Sequence, residues 1–118
     1  MNEAPVFRDD PVELPEWTGD LEADVIAGIR TVFDPEIPVN VYDLGLIYRL
    51  DVANPERIEI DMTLTAPGCP VAGELLSRVE KAALLAPGAK GVKMQLVFDP
   101  PWSPVNMSDE AKLELGML

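Results

Sequence analysis

The sequence predicts a two-layer α/β sandwich in the order helix, strand, strand, helix, strand, helix, with a small mixed three-stranded sheet covered by helices on one face. Three observations predict it. Two runs alternate apolar and polar residues on either side of a proline-containing turn, an apolar stripe at helical spacing follows the second run, and a third alternating run follows that stripe.

Residues 1–17 hold Pro5, Pro11 and Pro15 among acidic side chains with no apolar period, which predicts a flexible acidic arm before a domain over 18–118. Val6, Phe7, Leu14 and Trp17 are its residues suited to docking on that domain. From Asp20 the pattern is helical: Leu21, Val25, Ile29, Val32 and Phe33 share a face, and Glu22, Asp24 and Arg30 fall outside it. Thr18 or Asp20 caps the start, and Pro35 is expected to stop the helix at about Phe33. Asp34 to Asp43 reads as a loop held by Pro35 and Pro38. In the first strand, Leu44 to Val52, the residues Leu46, Tyr48, Leu50 and Val52 face one way and Ile47, Arg49 and Asp51 the other. Ala53-Asn54-Pro55-Glu56 supplies the turn. Ile58, Ile60, Met62 and Leu64 then alternate with Glu59, Asp61, Thr63 and Thr65. After Cys69-Pro70 the stripe Ala72, Leu75, Leu76, Val79, Ala82 and Ala83 makes a helix, with Pro70 suited to its first position and Pro87-Gly88 ending it. Val92, Met94, Leu96 and Phe98 form the third strand against Lys93, Gln95 and Val97, and Ser108 caps a short last helix.

Connectivity then places the loops. A hairpin starts its first strand at the end of the sheet where its second finishes, and a strand–helix–strand crossover makes the second and third strands parallel. The loop Asp34–Asp43, the loop Thr65–Cys69 and the segment Asp99–Trp102 are therefore expected at one edge. The second sheet face carries Ile47, Arg49, Asp51, Glu59, Asp61, Thr63, Lys93, Gln95 and Val97, a mixed set that water can cover.

At 118 residues and 47% hydrophobic content the chain suits one globular domain. A formal charge of −12 argues against nucleic acid and anionic membranes, both of which are bound through clustered Lys and Arg. No apolar run approaches the roughly 18 residues that span a bilayer, and the first residues lack a secretory pattern. The expected location is the cytoplasm. One cysteine forms no internal disulfide, and the absence of histidine excludes a Cys–His couple and any His-ligated metal.

That cysteine, Cys69, sits in Thr63-Leu64-Thr65-Ala66-Pro67-Gly68-Cys69-Pro70, at an expected passage from strand to helix. Unpaired N–H groups and the helix dipole favour a thiolate there. A solitary cysteine is also commonly a small buried hydrophobe, and both readings stand. Thr65, beside the cysteine loop, has a better claim than Thr63 to bond a ligand. Asp34-Pro35-Glu36 reads on composition as a helix stop and a turn, and Asp43 as a solvated acid or an acceptor of backbone N–H groups. Gly45 permits close approach of another backbone. In Asp99-Pro100-Pro101-Trp102 the stiff Pro100 and Pro101 with the Trp102 indole suit either core cover or a docking surface.

The runs Asp34-Pro35-Glu36-Ile37-Pro38-Val39-Asn40-Val41-Tyr42-Asp43-Leu44-Gly45-Leu46-Ile47, Thr63 to Pro70 and Asp99 to Trp102 resemble, in order, three signatures of the iron–sulfur cluster assembly domain family that includes SufT and PaaD. The likeness covers about Asp20 to Leu118 and is greatest to the short members associated with the SUF system. It implies an α/β domain in cluster maturation or delivery, with Cys69 as the functional thiol and Asp34, Glu36, Asn40, Asp43 and Thr65 as its supporting site. PaaD-type members carry further cysteines beyond the third signature, and none follows Cys69 here.

The leading expectation is a non-enzymatic assembly or targeting factor whose partners are iron–sulfur assembly proteins and client apo-proteins. Clusters normally take four thiolates, so with one cysteine the chain either holds iron or an iron–sulfur cluster transiently, as cargo, or contacts only a partner's cluster as an adaptor. A weak homodimer pairing two Cys69 thiolates is expected. Two alternatives are a thiol-dependent redox or transfer enzyme, opposed by the missing histidine and resolving cysteine, and a non-catalytic subunit of a PaaD-like oxygenase maturation complex.

Overall fold

A computed structural model describes residues 14–35, 37–65 and 72–117. It has α1 (Leu21–Ile29), β1 (Ile47–Asp51), β2 (Ile58–Met62), α2 (Ala72–Ala83), β3 (Val92–Leu96), a 3-10 turn (Pro104–Asn106) and α3 (Asp109–Glu114). The order matches the sequence reading, with the 3-10 turn added. β2 is central, antiparallel to β1 and parallel to β3.

Alternation in β2 is complete: Ile58, Ile60 and Met62 are fully buried while Glu59 and Asp61 are partly exposed. Their apolar face joins Val25 and Ile29 of α1 and Leu75, Val79, Ala82 and Ala83 of α2 in one core. Truncating a side chain as enclosed as Ile60 to alanine costs about 2–5 kcal/mol. The helices meet closely because Gly28 has no side chain; a Cβ there would collide with the Ala82 carbonyl oxygen. At the start of α1 the Asp20 side chain accepts the Ala23 N–H, the expected cap. Ser108 caps α3 in the same way, accepting from Ala111.

Four expectations are corrected. First, α1 ends at Ile29, not near Phe33. Thr31 N–H turns back to Gly28, Val41 N–H donates to Val32 and Asp34 N–H to Val39, while Phe33 bridges Asn40. The supposed loop is thus closed as a small hairpin, and Phe33 is turned out, 50% exposed. Second, Asp24, expected outside the apolar face of α1, is nevertheless buried. It is 3% exposed, and its carboxylate accepts from Thr18 N–H, Thr18 Oγ1 and Gly19 N–H at 2.8, 2.9 and 3.1 Å. These bonds, the Thr18 N–H foremost, hold its carboxyl below the usual range against the opposing effect of burial.

Third, β1 does not alternate as read. Ile47 pairs with Met62 and Arg49 with Asp61, so Tyr48 is an extra residue, a β-bulge. The insertion shifts parity: Ile47 packs against the core with Leu50, and Tyr48 leaves the side it was expected to share with Leu46. Fourth, Thr63 is not on the watered face. It is 1% exposed, and Phe98, Pro101 and Trp102 wall the small pocket beside it.

Of the arm's apolar residues, Trp17 packs against the core and Leu14 is exposed; Val6 and Phe7 lie outside the described residues. So does the Pro70 start of the second helix. Among the described residues no helix is long and apolar enough to cross a membrane.

Candidate functional site

The ladder fixes which ends of the strands meet. Ile47 opposes Met62, and Met62 lies beside Leu96, so β1 starts where β2 and β3 finish. Beyond that edge lie the hairpin 34–43, Thr65 on the chain leading to Cys69, and the segment 99–102. Cys69 and Glu36 themselves fall outside the described residues.

The hairpin is built by its own polar side chains. Asp34, 7% exposed, accepts the Ile37 N–H on Oδ1 at 3.0 Å. Asn40 and Asp43 bond reciprocally: Asn40 Oδ1 accepts the Asp43 N–H at 2.8 Å, and Asn40 Nδ2 donates to Asp43 Oδ2 at 2.9 Å. Pro35 lines a small pocket with Glu74, Leu75 and Arg78, which lays the hairpin tip against the first turns of α2.

Arg30, just past α1, completes the corner. Its Nη2 donates to both Asp43 oxygens at 3.1 and 3.2 Å and to Glu110 of α3 at 3.3 Å, and its guanidinium lies 5.8 Å from the centre of the Tyr42 ring. Asp43 is therefore neither a solvated acid nor an acceptor of backbone N–H groups through its side chain. It is the node joining α1, the hairpin and α3. Sequence reasoning missed Arg30 because a basic residue ending a helix is unremarkable until its distant acid is placed beside it.

The third signature braces the first. Trp102 Nε1 donates to the Leu44 carbonyl at 2.7 Å, and its indole packs on the core, so the core-cover reading of Trp102 describes the geometry. Ser108 N–H donates to the Asp43 carbonyl at 2.8 Å. Between them Gly45, at φ +82, lies against the Asn106 backbone, where a Cβ would collide with the carbonyl oxygen. The close approach expected of Gly45 is real, and it lies just before β1. Pro100 accepts from the Tyr48 hydroxyl at 2.8 Å through its carbonyl.

Thr65 lines a pocket of about 130 Å³ with Thr63, Leu64, Phe98, Pro101 and Trp102. Thr63 Oγ1 is buried with no hydrogen-bond partner among the described residues. No three acidic or cysteine side chains converge as a metal site among the described residues. Beyond the pocket, on the helix-free face, Arg49 bridges Asp51, Glu59 and Asp61. Its hydrogen bond is the main cause holding the Glu59 carboxyl below the usual range.

Residues 22–95 match the model of the iron–sulfur cluster assembly protein family. An "Fe-S protein maturation auxiliary factor" of Porphyromonas gingivalis is 52% identical over 97 residues, covering 82% of this chain and 92% of its own. The Bacillus subtilis "Fe-S protein maturation auxiliary factor YitW" is 36% identical over 97 residues, covering 82% and 95%. Among solved structures, a domain of unknown function from Bacillus anthracis superposes with a TM-score of 0.74 at 35% identity, over 83% of this chain and 93% of that one.

Proposed function

We propose that this chain, which belongs to the iron–sulfur cluster assembly protein family, acts in the cytoplasm as a non-enzymatic auxiliary factor in the maturation of iron–sulfur proteins, with Cys69 as the thiol that meets the cargo. One observation carries the reading: the register Ile47–Met62–Leu96 gathers the hairpin 34–43, the strand leading to Cys69 and the segment 99–102 at one edge. The names of the relatives, maturation auxiliary factors, support the same pathway.

In this reading Asp34, Asn40 and Asp43 act by position. Their hydrogen bonds shape the hairpin and, through Arg30, tie it to α1 and α3, setting the wall that the cargo meets. Glu36 adds a carboxylate to the residues offered to the cargo, and Thr65 a hydroxyl at the strand end. The cargo is iron or an iron–sulfur cluster. One thiolate of the usual four holds it loosely, as delivery to a client apo-protein requires. Partners are the SUF-type assembly machinery and those clients.

Anaerobic reconstitution with iron and sulfide, comparing the wild-type chain with Cys69→Ala by absorbance and metal content, tests the assignment. Loading is expected in the wild type and lost in the variant at an unchanged melting temperature. Equal loading of both proteins overturns it. Two Cys69 thiolates from two chains complete more of the ligand set, and a cargo bound only by the pair favours the pair by mass action. Sedimentation is therefore expected to show a weak homodimer that tightens on loading; an unchanged mass with cargo bound points to a monomeric adaptor.

A further inference from the structure

We infer that the groove on the helix-free sheet face, beside the Tyr48 bulge, docks an extended basic segment of a client protein. The inference deepens the assembly reading and rests on it only for the identity of the partner. The groove measures about 680 Å³, within the range of about 300–1,000 Å³ usual for binding sites, and is open along one side, which suits a chain segment better than an enclosed small molecule. Its lining includes Ile47, Tyr48, Asp61, Val97, Asp99 and Asn106. It lies at the same sheet edge as the candidate site, since Ile47 opens β1 and Val97 follows the end of β3.

Charge decides what the groove accepts. Its one cation, Arg49, is already engaged by Asp51, Glu59 and Asp61, whereas Asp99 is exposed and has no ion-pair partner among the described residues. With −12 on the whole chain, an anionic ligand is repelled and a cationic one drawn in. Ile47, Val97 and the Tyr48 ring offer apolar surface for the aliphatic stem of a lysine or arginine. The polar acceptors are pre-set. The Tyr48 hydroxyl is fixed between the Pro100 carbonyl, to which it donates, and Asn106 Nδ2 at 3.4 Å, from which it accepts. A cationic head can then donate to the Asp99 carboxylate and to the second lone pair of the Pro100 carbonyl.

The test is a titration of the unloaded, full-length protein with a capped five-residue peptide, Gly-Leu-Lys-Leu-Gly, followed by backbone amide shifts. Saturable shifts centred on Tyr48, Val97, Asp99 and Asn106 are expected, and none with a peptide carrying Glu in place of Lys. Asp99→Lys should weaken binding at least about fivefold, the scale of one lost ion pair in a partly desolvated groove. Glu56→Lys changes the charge equally on the exposed β1–β2 turn at the far end of the sheet and should weaken it less than about twofold. Equal weakening by both reversals, or shifts centred elsewhere, overturns the inference. Unloaded Cys69→Ala should bind the peptide as the wild type does, so the groove and the Cys69 assignment fail separately; loss of peptide binding in this variant makes the groove part of the cargo site and overturns the docking role.

Discussion

At the turn end of the sheet the chain is closed by backbone bonds. Arg57 N–H donates to Asn54, Ile58 N–H to Gly91, and the Lys90 and Gly91 N–H groups reach the Pro55 carbonyl. At the opposite end the ties are side chains spanning long stretches of sequence: Arg30 to Asp43 and Glu110, Trp102 to Leu44, Tyr48 to Pro100. Backbone closure tolerates most side chains; the exceptions at the turn end are Gly91, where a Cβ would meet the Glu56 carbonyl oxygen, and Asp51 and Asn54, whose side chains accept the Ala53 and Glu56 N–H groups. The loop end depends on individual groups, and it also contains Thr63 Oγ1, the buried side-chain oxygen without a partner among the described residues. One end holds the fold together, and the other places particular groups in particular positions.

Away from Gly91, substitutions at the loop end should therefore cost more than those on the exposed turn. The largest effect is expected of Gly45→Val, which forces a β-branched residue to φ +82 and drives its Cβ into the Asn106 carbonyl. A loss of about 3 kcal/mol or more in denaturant unfolding is expected, against about 0.5 kcal/mol or less for Glu56→Lys on the exposed turn. Similar values for both would break the comparison. Arg30→Ala should cost about 1–2 kcal/mol by leaving the largely buried Asp43 carboxylate short of a donor. A double-mutant cycle with Asp43→Asn sharpens this, since a coupling near zero would show the corner held by other contacts.

Thr63→Val keeps the shape and removes the unpartnered hydroxyl, so the unloaded protein should gain about 1 kcal/mol. A loss instead would show that the hydroxyl has a partner. The smallest effect tests a side-chain tie at the start of α1. Asp24 has its carboxyl lowered in the folded state, so its contribution is present above the range of an unfolded aspartate and disappears as pH falls through the folded value. Wild-type stability should fall more steeply than that of Asp24→Asn between about pH 5 and pH 2. Parallel curves would remove Asp24 as the cause.

What could be read from the sequence follows the same division. The strands and helices were legible because burial imposes periods of two and of about 3.6 residues, as Ile58, Ile60 and Met62 or Leu75 and Val79 show. The meeting of three loops at one edge was legible because hairpin and crossover geometry leave little choice. The early end of α1 was not, because it is set by Val41 and Val39 pairing back across the hairpin and not by Pro35. Nor was the bulge, since Leu46-Ile47-Tyr48-Arg49 alternates acceptably in either register until Met62 and Asp61 are placed opposite. Asp43 stood out as a site residue from its motif, but its bond to Arg30 has no local signature.

The bulge at Tyr48 has another effect, on how the molecule behaves in a crowd of its own copies. Among the described residues the three-stranded sheet has two unpaired borders, and each can template the addition of a foreign strand. Along β1 the extra residue kinks one border, and Arg49 with Asp51 charges it; along β3 the exposed Lys93 does the same work. Strand-by-strand stacking, the first step toward fibrils, is thereby discouraged on both sides. The protein can then accumulate without its sheet becoming a seed.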